Sequence, residues 1–188
     1  MADEMQMRIM QAAKELAEEK TTVQGATITL EAVANRAGLS KPGLMYHYHT
    51  KEALMVGLVE YSAQQWDELL RHQAGSGPEG SSPFDRYRAY VTTATTAEVS
   101  RADYWIFSDA AYHQALSGPW QRFLGPWYDL SSVGSPRARA LLAAARFCAD
   151  GAWMSEATGV FPADDLAAVG AHARTLIDQA ENEEAGTE

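Results

Sequence analysis

Apolar residues recur at helical spacing along almost the whole chain, and this pattern constrains the fold more than any other feature. Near the N-terminus, Ile9, Ala12, Ala13, Leu16 and Ala17 fall three or four residues apart and form one face of a helix. Val, Ile and Thr do not cluster into the alternating runs that are typical of strands. The sequence therefore predicts an all-α protein of about nine helices.

Capping residues, prolines and glycines predict where these helices begin and end. A Ser or Thr before a helix accepts backbone N–H groups, a proline fits the first turn, and a glycine closes the last. We expect Pro119 and Pro126 to bend or break the seventh helix, and the Gly- and Ser-rich stretch 74–82 to be a linker. The predicted helices span about 4–19, 30–37, 41–48, 51–73, 84–98, 102–116, 119–131, 136–159 and 162–182.

The charge is distributed unevenly. The chain has 188 residues and a formal net charge of −10. Residues 1–52 hold six Lys or Arg and seven Asp or Glu, which leaves −1 there and −9 in the remainder. A near-neutral N-terminal part is compatible with binding to DNA phosphates, provided that the acidic part faces away. No secretory signal and no apolar run long enough to span a membrane is visible, and Cys148 is the only cysteine, so we expect a cytoplasmic protein.

Residues 29–51 have the pattern of a helix-turn-helix. Thr29 caps a first short helix, Gly38 fits a left-handed turn, and Ser40 caps a second short helix that has Pro42 in its first turn. In this motif the N-terminal residues of the second helix reach base edges in the major groove. The pattern predicts that this segment binds DNA.

The same segment resembles the TetR (tetracycline repressor) family of bacterial transcriptional regulators. The matching string, residues 34–53, reads ANRAGLSKPGLMYHYHTKEA and is followed by Leu54. Family members typically show Ala-x-x-Ala-Gly-Val-Ser, then Leu-Tyr-x-(His/Tyr)-Phe, then Ser/Asn-Lys-Glu-x-Leu. The resemblance covers about residues 4–58, and the trailing Thr50-Lys51-Glu52 separates it from a generic helix-turn-helix.

The resemblance implies a three-helix DNA-binding domain over 1–50 and a helical ligand-binding and dimerisation domain over 51–188. It departs from the family at one position, because Met45 stands where most members have a phosphate-binding Tyr; Tyr46 or Tyr48 would have to replace that contact. The residues that it assigns to DNA binding are Thr29, Ser40, Lys41, Pro42, Gly43, Tyr46, His47 and Lys51.

The C-terminal part is rich in aromatic residues, and all five Trp of the chain lie there. Trp and Tyr combine apolar area with a polar tip, which suits a pocket for an aromatic or hydrophobic ligand, although most such residues form ordinary core. Asp109 and His113 could orient a polar ligand group or could be a surface pair. The candidate ligand-binding residues are Trp66, Trp105, Asp109, Tyr112, His113, Trp127 and Trp153.

Two apolar stripes lie on the last two predicted helices. Family members bind palindromic DNA as homodimers, and the resemblance implies that these helices form the interface; the pattern alone is equally compatible with packing inside one subunit. The predicted interface residues are Leu141, Leu142, Ala145, Ala149, Leu166, Val169, Ala173 and Ile177.

No catalytic constellation is visible in the sequence. The five histidines are scattered without metal-ligand spacing, and no Gly-rich phosphate loop follows a strand. We therefore expect no enzyme activity, no metal and no cofactor. The function that the sequence favours is a ligand-responsive transcriptional regulator, most simply a repressor, released from its operator by a small effector. The alternative is a helical DNA- or protein-binding adaptor that no small molecule controls.

Overall fold

A computed structural model describes residues 2–19, 28–96, 100–110 and 114–186, without the side chains of residues 2, 3, 109, 110 and 114. This described part contains nine α-helices, one short 3-10 helix and no strand, in agreement with the predicted all-α class. The helices are α1 (Ala2–Glu18), α2 (Leu30–Arg36), α3 (Lys41–His47), α4 (Lys51–Ala74), α5 (Pro83–Thr96), α6 (Arg101–Ala110), α7 (Gln114–Tyr128), α8 (Pro136–Thr158) and α9 (Leu166–Ala185).

The helices form two compact units. Unit 1 comprises residues 1–64 and 100–121, and unit 2 comprises residues 65–99 and 122–188. The division runs through α4 and α7, so it differs from the division near residue 50 that the resemblance implies. The difference arises because α6 packs against α1 and joins the N-terminal helices.

Unit 1 is built around the N-terminal three helices. Ile9 of α1, Val33 of α2 and Leu44 of α3 are fully buried, and Leu54 and Leu58 continue this core along α4. Each of these residues lies on the apolar face that helical spacing predicts. The short helices α2 and α3, at seven residues each, depend on this shared core for stability.

Unit 2 packs α5, α8 and α9 together. A stripe of alanines on α8 and α9 lets the helices approach closely, with Leu142 and Ile177 filling the space between the backbones. Gly170 of α9 meets Thr95 of α5 so tightly that a Cβ at position 170 would lie 2.4 Å from Thr95 Oγ1. At the surface of the same contact, Arg88 of α5 forms ion pairs with Asp178 and Glu181 of α9.

Three features differ from the prediction. The helix that contains Pro119 and Pro126, α7, begins at Gln114 rather than near residue 119, and it runs to Tyr128 without being broken at either proline. The ninth helix begins at Leu166, because Asp165 rather than a residue near Pro162 is its N-cap. The Gly- and Ser-rich stretch 74–82 is an ordered turn inside unit 2, closed by Ser81 Oγ donating to the Gly77 carbonyl at 3.0 Å.

Candidate nucleic-acid interface and aromatic cluster

The turn between α2 and α3 has the predicted capping geometry. Thr29 Oγ1 accepts the Ala32 N–H at 3.1 Å, and Gly38 adopts a left-handed φ of 67°. The Gly38 N–H donates to Asn35 and the Leu39 N–H to Ala34, which is the hydrogen-bond pattern of a Schellman ending. An alanine at position 38 would be strained at this φ, so glycine fixes the turn that sets the direction of α3.

Arg8 of α1 holds the end of α2. Its guanidinium donates from Nε at 3.1 Å and from Nη2 at 2.6 Å to the carbonyl of Ala37, the C-terminal cap of α2. A cation suits this position because helix C-termini carry partial negative charge. This role of Arg8 was not predicted from the sequence, because nothing in its local pattern distinguishes it from a phosphate-binding arginine.

The start of α3 lies at the surface. Ser40 Oγ accepts the Gly43 N–H at 3.2 Å, and Ser40, Lys41 and Pro42 are exposed. One turn further, Tyr46 is 80% exposed and its ring lies edge-on to His47, with 5.3 Å between the centroids. A phenol held this far out of the core can reach a phosphate or a base, which makes it the candidate for the contact that Met45 cannot make.

Two cations of the N-terminal part form ion pairs within unit 1. Arg36 pairs with Glu15 and Glu19 of α1, and the pair with Glu19 raises the pKa of Arg36 further above its usual value. Lys14 pairs with Asp103 at 2.9 Å. Lys41 and Lys51, by contrast, are exposed without an ion pair among the described residues.

The connection from α3 to α4 is three residues long. Thr50 caps α4 by accepting the Ala53 N–H at 3.0 Å, so Lys51 stands exposed in the first turn. Tyr48 ends α3, and its half-buried ring lies against Gly57 of α4. Burial raises the pKa of the Tyr48 hydroxyl, and the charge of Glu60 raises it further.

Unit 2 contains a cluster of aromatic rings around one carboxylate, here called the aromatic cluster: Trp66, Tyr90, Tyr128, Trp153 and Asp150. The ring of Trp66 lies edge-on to Trp153 at 5.6 Å, and Tyr90 lies edge-on to Tyr128 at 5.1 Å. The Tyr90 hydroxyl donates to Asp150. Burial raises the pKa of Asp150, while the Tyr90 hydrogen bond and the charge of Arg146 act in the opposite direction.

The aromatic cluster overlaps only in part with the predicted ligand-binding residues. Trp66 and Trp153 belong to it, whereas Trp105 lies in unit 1. Trp127 is fully buried and its indole N–H donates to Asp67 at 2.7 Å, which indicates a structural role. The Asp109 side chain, Tyr112 and His113 lie outside the described residues.

Asp150 and Tyr90 were missed as site residues. A usable signal was present, because Asp150 lies three residues before Trp153 and so shares a face of α8 with it.

Most of the predicted interface residues are used inside the subunit. Because five of them are completely buried within unit 2, they have no surface to offer a partner: Leu142, Ala145, Ala149, Ala173 and Ile177. Leu141, Leu166 and Val169 are partly exposed. The exposed apolar side chains of α8 are instead Phe147, at 60%, and Met154, at 47%. The predicted stripes therefore lie mainly on the face of α8 and α9 that packs inside unit 2.

Two kinds of site are absent from the part of the chain that the structure describes. No group of three or more His, Cys, Asp or Glu side chains there is arranged to hold a metal ion. Among the described helices, none combines the length and the apolar character needed to cross a membrane.

Comparisons with known proteins agree on the family. A family model described as the C-terminal domain of tetracyclin repressor-like proteins matches residues 85–180, which is 96 of 188 residues and just over half of the chain. No curated protein sequence matches significantly.

Several solved structures share the fold. The multidrug binding protein EbrR, complexed with imidazole, has a TM-score of 0.63 at 20% identity and covers 93% of each chain. A TetR-family member from Streptomyces coelicolor A3 has a TM-score of 0.64 at 21% identity, covering 94% of this chain and 98% of its own. NalD, the secondary repressor of the MexAB-OprM multidrug efflux pump in Pseudomonas aeruginosa, has a TM-score of 0.56 at 17% identity over 95% and 96% of the two chains. By its match to the family model, the chain belongs to the TetR family of ligand-responsive transcriptional regulators.

Proposed function

We propose that the chain is a transcriptional repressor that binds a palindromic operator as a homodimer and is released by an aromatic effector. The observation that carries the DNA-binding part is the exposed start of α3. Ser40 fixes this helix end, and Lys41 and Pro42 project from it into solvent. Lys41 is also without an ion pair among the described residues, so no internal partner has to be broken before it meets DNA.

The roles follow from position and chemistry. Lys41, Pro42 and Gly43 at the start of α3 face base edges in the major groove, where an N-terminal turn of a recognition helix reaches them. Lys51 at the start of α4 and Thr29 at the start of α2 contact phosphates, since helix N-termini favour anions. Ser40, Tyr46 and His47 extend this surface, with Tyr46 supplying the hydroxyl that Met45 lacks.

The test is a salt titration of DNA binding. The probe is a duplex that the parent protein selects from a random-sequence library. Removing one phosphate contact lowers the slope of log K against log salt by about 0.9. Because the proposed homodimer carries two copies of each lysine, we expect Lys51→Ala to lower the magnitude of the slope by about 1.8, and Lys41→Ala to weaken binding by about 1–3 kcal/mol per half-site if it contacts a base. Arg137→Ala, at an exposed arginine of unit 2, is the matched control and should bind as the parent does.

The assignment of the reading surface to α3 would be wrong if both lysine variants kept the parent's affinity and slope. It would also be wrong if the Arg137 variant lost as much affinity as they do, because the loss would then reflect overall charge alone.

The dimer interface is proposed to use the exposed faces of α8 and α9. Phe147 and Met154 supply apolar area on α8, and Leu141 and Leu166 are partly exposed on the two helices. An isologous contact of these faces would bury side chains that a monomer leaves in water. Phe147→Glu should yield monomers in light scattering, whereas Phe107→Glu, at a 48% exposed Phe of unit 1, should leave the dimer intact. A monomeric parent protein would contradict this part of the proposal.

The effector is proposed to bind at the aromatic cluster. Trp66 and Trp153 are only 7% and 8% exposed and lie edge-on to each other, so a stacked effector would have to part their rings. The Asp150 side chain, 40% exposed and hydrogen-bonded to Tyr90, offers a polar anchor in the same cluster. EbrR, which shares the fold with a TM-score of 0.62 and 18% identity, is known in complex with ethidium, so ethidium is a reasonable first probe.

Ethidium itself intercalates into duplex DNA, so its binding is measured on the DNA-free protein: it should raise the thermal midpoint, Trp153→Leu should remove this effect and Trp105→Leu should keep it. The effect on DNA binding is measured with aromatic compounds that do not intercalate, and a compound that raises the thermal midpoint should also weaken binding to the selected duplex. A panel of aromatic compounds that leaves DNA binding unchanged would favour the alternative, an ungated DNA-binding protein whose closely packed rings are simply core.

A further inference from the structure

Gly57 stands inside α4 between buried apolar residues. Leu54, Leu58 and Val59 are fully buried, while Gly57 itself is partly exposed and has no side chain to pack. A glycine in a helix interior weakens the helix relative to alanine, because it has more conformational freedom to lose. Its presence here therefore needs a compensating contact.

The ring of Tyr48 provides that contact. A Cβ on Gly57 would lie 2.8 Å from Tyr48 Cε1, which is closer than a real Cβ tolerates, and 3.2 Å from both Cζ and Oη, which is a tight contact. The missing side chain thus leaves a notch in α4, and the ring occupies it. The partial burial of Tyr48, which raises the pKa of its hydroxyl, agrees with a ring seated against the helix.

Tyr48 is also the residue at which α3 ends. Its N–H donates to the Leu44 carbonyl at 2.9 Å, and Leu44 is fully buried in the core of unit 1. Only His49 and Thr50 separate Tyr48 from the first residue of α4. The ring in the notch therefore gives α3 and α4 a second contact, in addition to the short segment that connects them. Two contacts restrain the angle between the helices.

We propose that Gly57 is a positioning residue for DNA recognition, because its notch seats the Tyr48 ring and so fixes the direction in which α3 presents Lys41. The inference rests on the proposed function, since its consequence is measured as DNA binding. Gly57 itself touches no DNA. It acts through Tyr48, and its substitution changes the orientation of α3 without removing any DNA-contacting side chain.

The experiment compares Gly57→Ala with Gly151→Ala. Gly151 also lies inside a long helix, α8, but a Cβ there meets nothing within 4 Å. Both changes favour helix, and only the first disturbs a neighbour. On the duplex selected by the parent, we expect Gly57→Ala to bind about fivefold or more weakly, comparable to the removal of one base-reading side chain. Because Gly151 shares a face of α8 with Phe147 and Met154, light scattering first checks that Gly151→Ala is as dimeric as the parent, and it should then bind as the parent does.

Second substitutions at Tyr48 separate positioning from general damage. Tyr48→Leu removes all three clashing atoms, so Gly57→Ala with Tyr48→Leu should bind more tightly than Gly57→Ala alone. Tyr48→Phe removes only Oη and should not restore binding, because the Cε1 and Cζ contacts remain. The double variants also keep the test decisive if Gly57→Ala alone fails to fold.

Two results would overturn the inference. One is parent-like affinity of Gly57→Ala, which would mean that the ring swings aside without moving α3. The other is a double variant, Gly57→Ala with Tyr48→Leu, that binds no better than the single one. Failure of the proposed function looks different. In that case the parent selects no duplex, or Lys41→Ala binds the selected duplex as tightly as the parent does.

Discussion

Replacing Asp67 tests the polar contact that anchors Trp127 in unit 2. The carboxylate is 9% exposed, accepts the indole N–H of Trp127 at 2.7 Å, and pairs with Arg71 at 2.7 Å. A hydrogen bond to a charged group contributes about 1.5–3 kcal/mol, and a buried N–H left unpaired costs a similar amount. The Arg71 side chain is 44% exposed, so its ion pair adds at most about 1 kcal/mol.

These magnitudes predict different results for two substitutions. Asp67→Ala removes the carboxylate and leaves both Trp127 and Arg71 without this partner. It should destabilise the protein by about 3 kcal/mol, which lowers Tm by about 6–12 °C at this chain length. Asp67→Asn keeps an acceptor for the indole and loses only the charge, so it should cost about 1 kcal/mol.

Thermal and urea unfolding, followed by tryptophan fluorescence, measure both values. A third variant, Trp127→Phe, removes the donor and should make a subsequent Asp67→Ala change less costly than it is in the parent. Equal losses of stability for Asp67→Ala and Asp67→Asn would contradict this prediction, because the hydrogen bond from the Trp127 indole would then contribute nothing to stability.

Three further predictions concern single side chains. Arg8→Ala should destabilise the protein by about 1–3 kcal/mol in urea unfolding and weaken DNA binding, since the carbonyl at the end of α2 loses both of its guanidinium donors. Arg8→Met keeps an apolar side chain but also lacks these donors, so unchanged unfolding of this variant would contradict the prediction. Backbone N–H groups before α8 lower the pKa of Glu184, so its stabilising contribution is present above the unfolded pKa near 4.5 and is lost as pH falls, and Glu184→Gln should flatten the acid limb of a Tm–pH curve. Burial raises the pKa of Asp150, so its ionisation disfavours the fold as pH rises above 3.8; Asp150→Asn, which can still accept from Tyr90, should raise Tm at pH 7, and an unchanged or lower Tm would count against that cause.

Local sequence signals predicted the caps and the turn of the helix-turn-helix well. Thr29, Gly38 and Ser40 each act through bonds to neighbours within a few residues, so their roles are visible in the sequence itself. The same holds for the predicted helix 136–159, because Ser135 caps the start of α8 and the left-handed Gly159 ends it. The expectation that a proline breaks a helix does not hold in α7, where two prolines lie within one continuous helix. Each proline removes only one backbone hydrogen bond, and burial of the helix's apolar face outweighs that loss.

Long-range features could not be predicted in the same way. A stripe of small residues such as Ala145 and Ala149 shows that a helix face is buried, but not whether it meets its own subunit or a partner. Likewise, the pairing of Arg36 with α1 and of Arg8 with the end of α2 depends on tertiary contacts. The sequence alone therefore overestimates how many cations are available to DNA, and among the described residues 2–19 and 28–52 only Lys41 and Lys51 are exposed cations without an internal partner.

The most direct test of the central claim is photo-crosslinking to the selected duplex from a benzoylphenylalanine placed at position 46. Tyr46 is 80% exposed on α3, and Phe161, 91% exposed in unit 2, gives a control position of similar accessibility. If α3 reads DNA, position 46 should crosslink in a way that competitor duplex of the same sequence abolishes, and position 161 should not crosslink. Crosslinking from position 161 alone, or equal crosslinking from both, would contradict the conclusion that α3 is the surface that reads DNA.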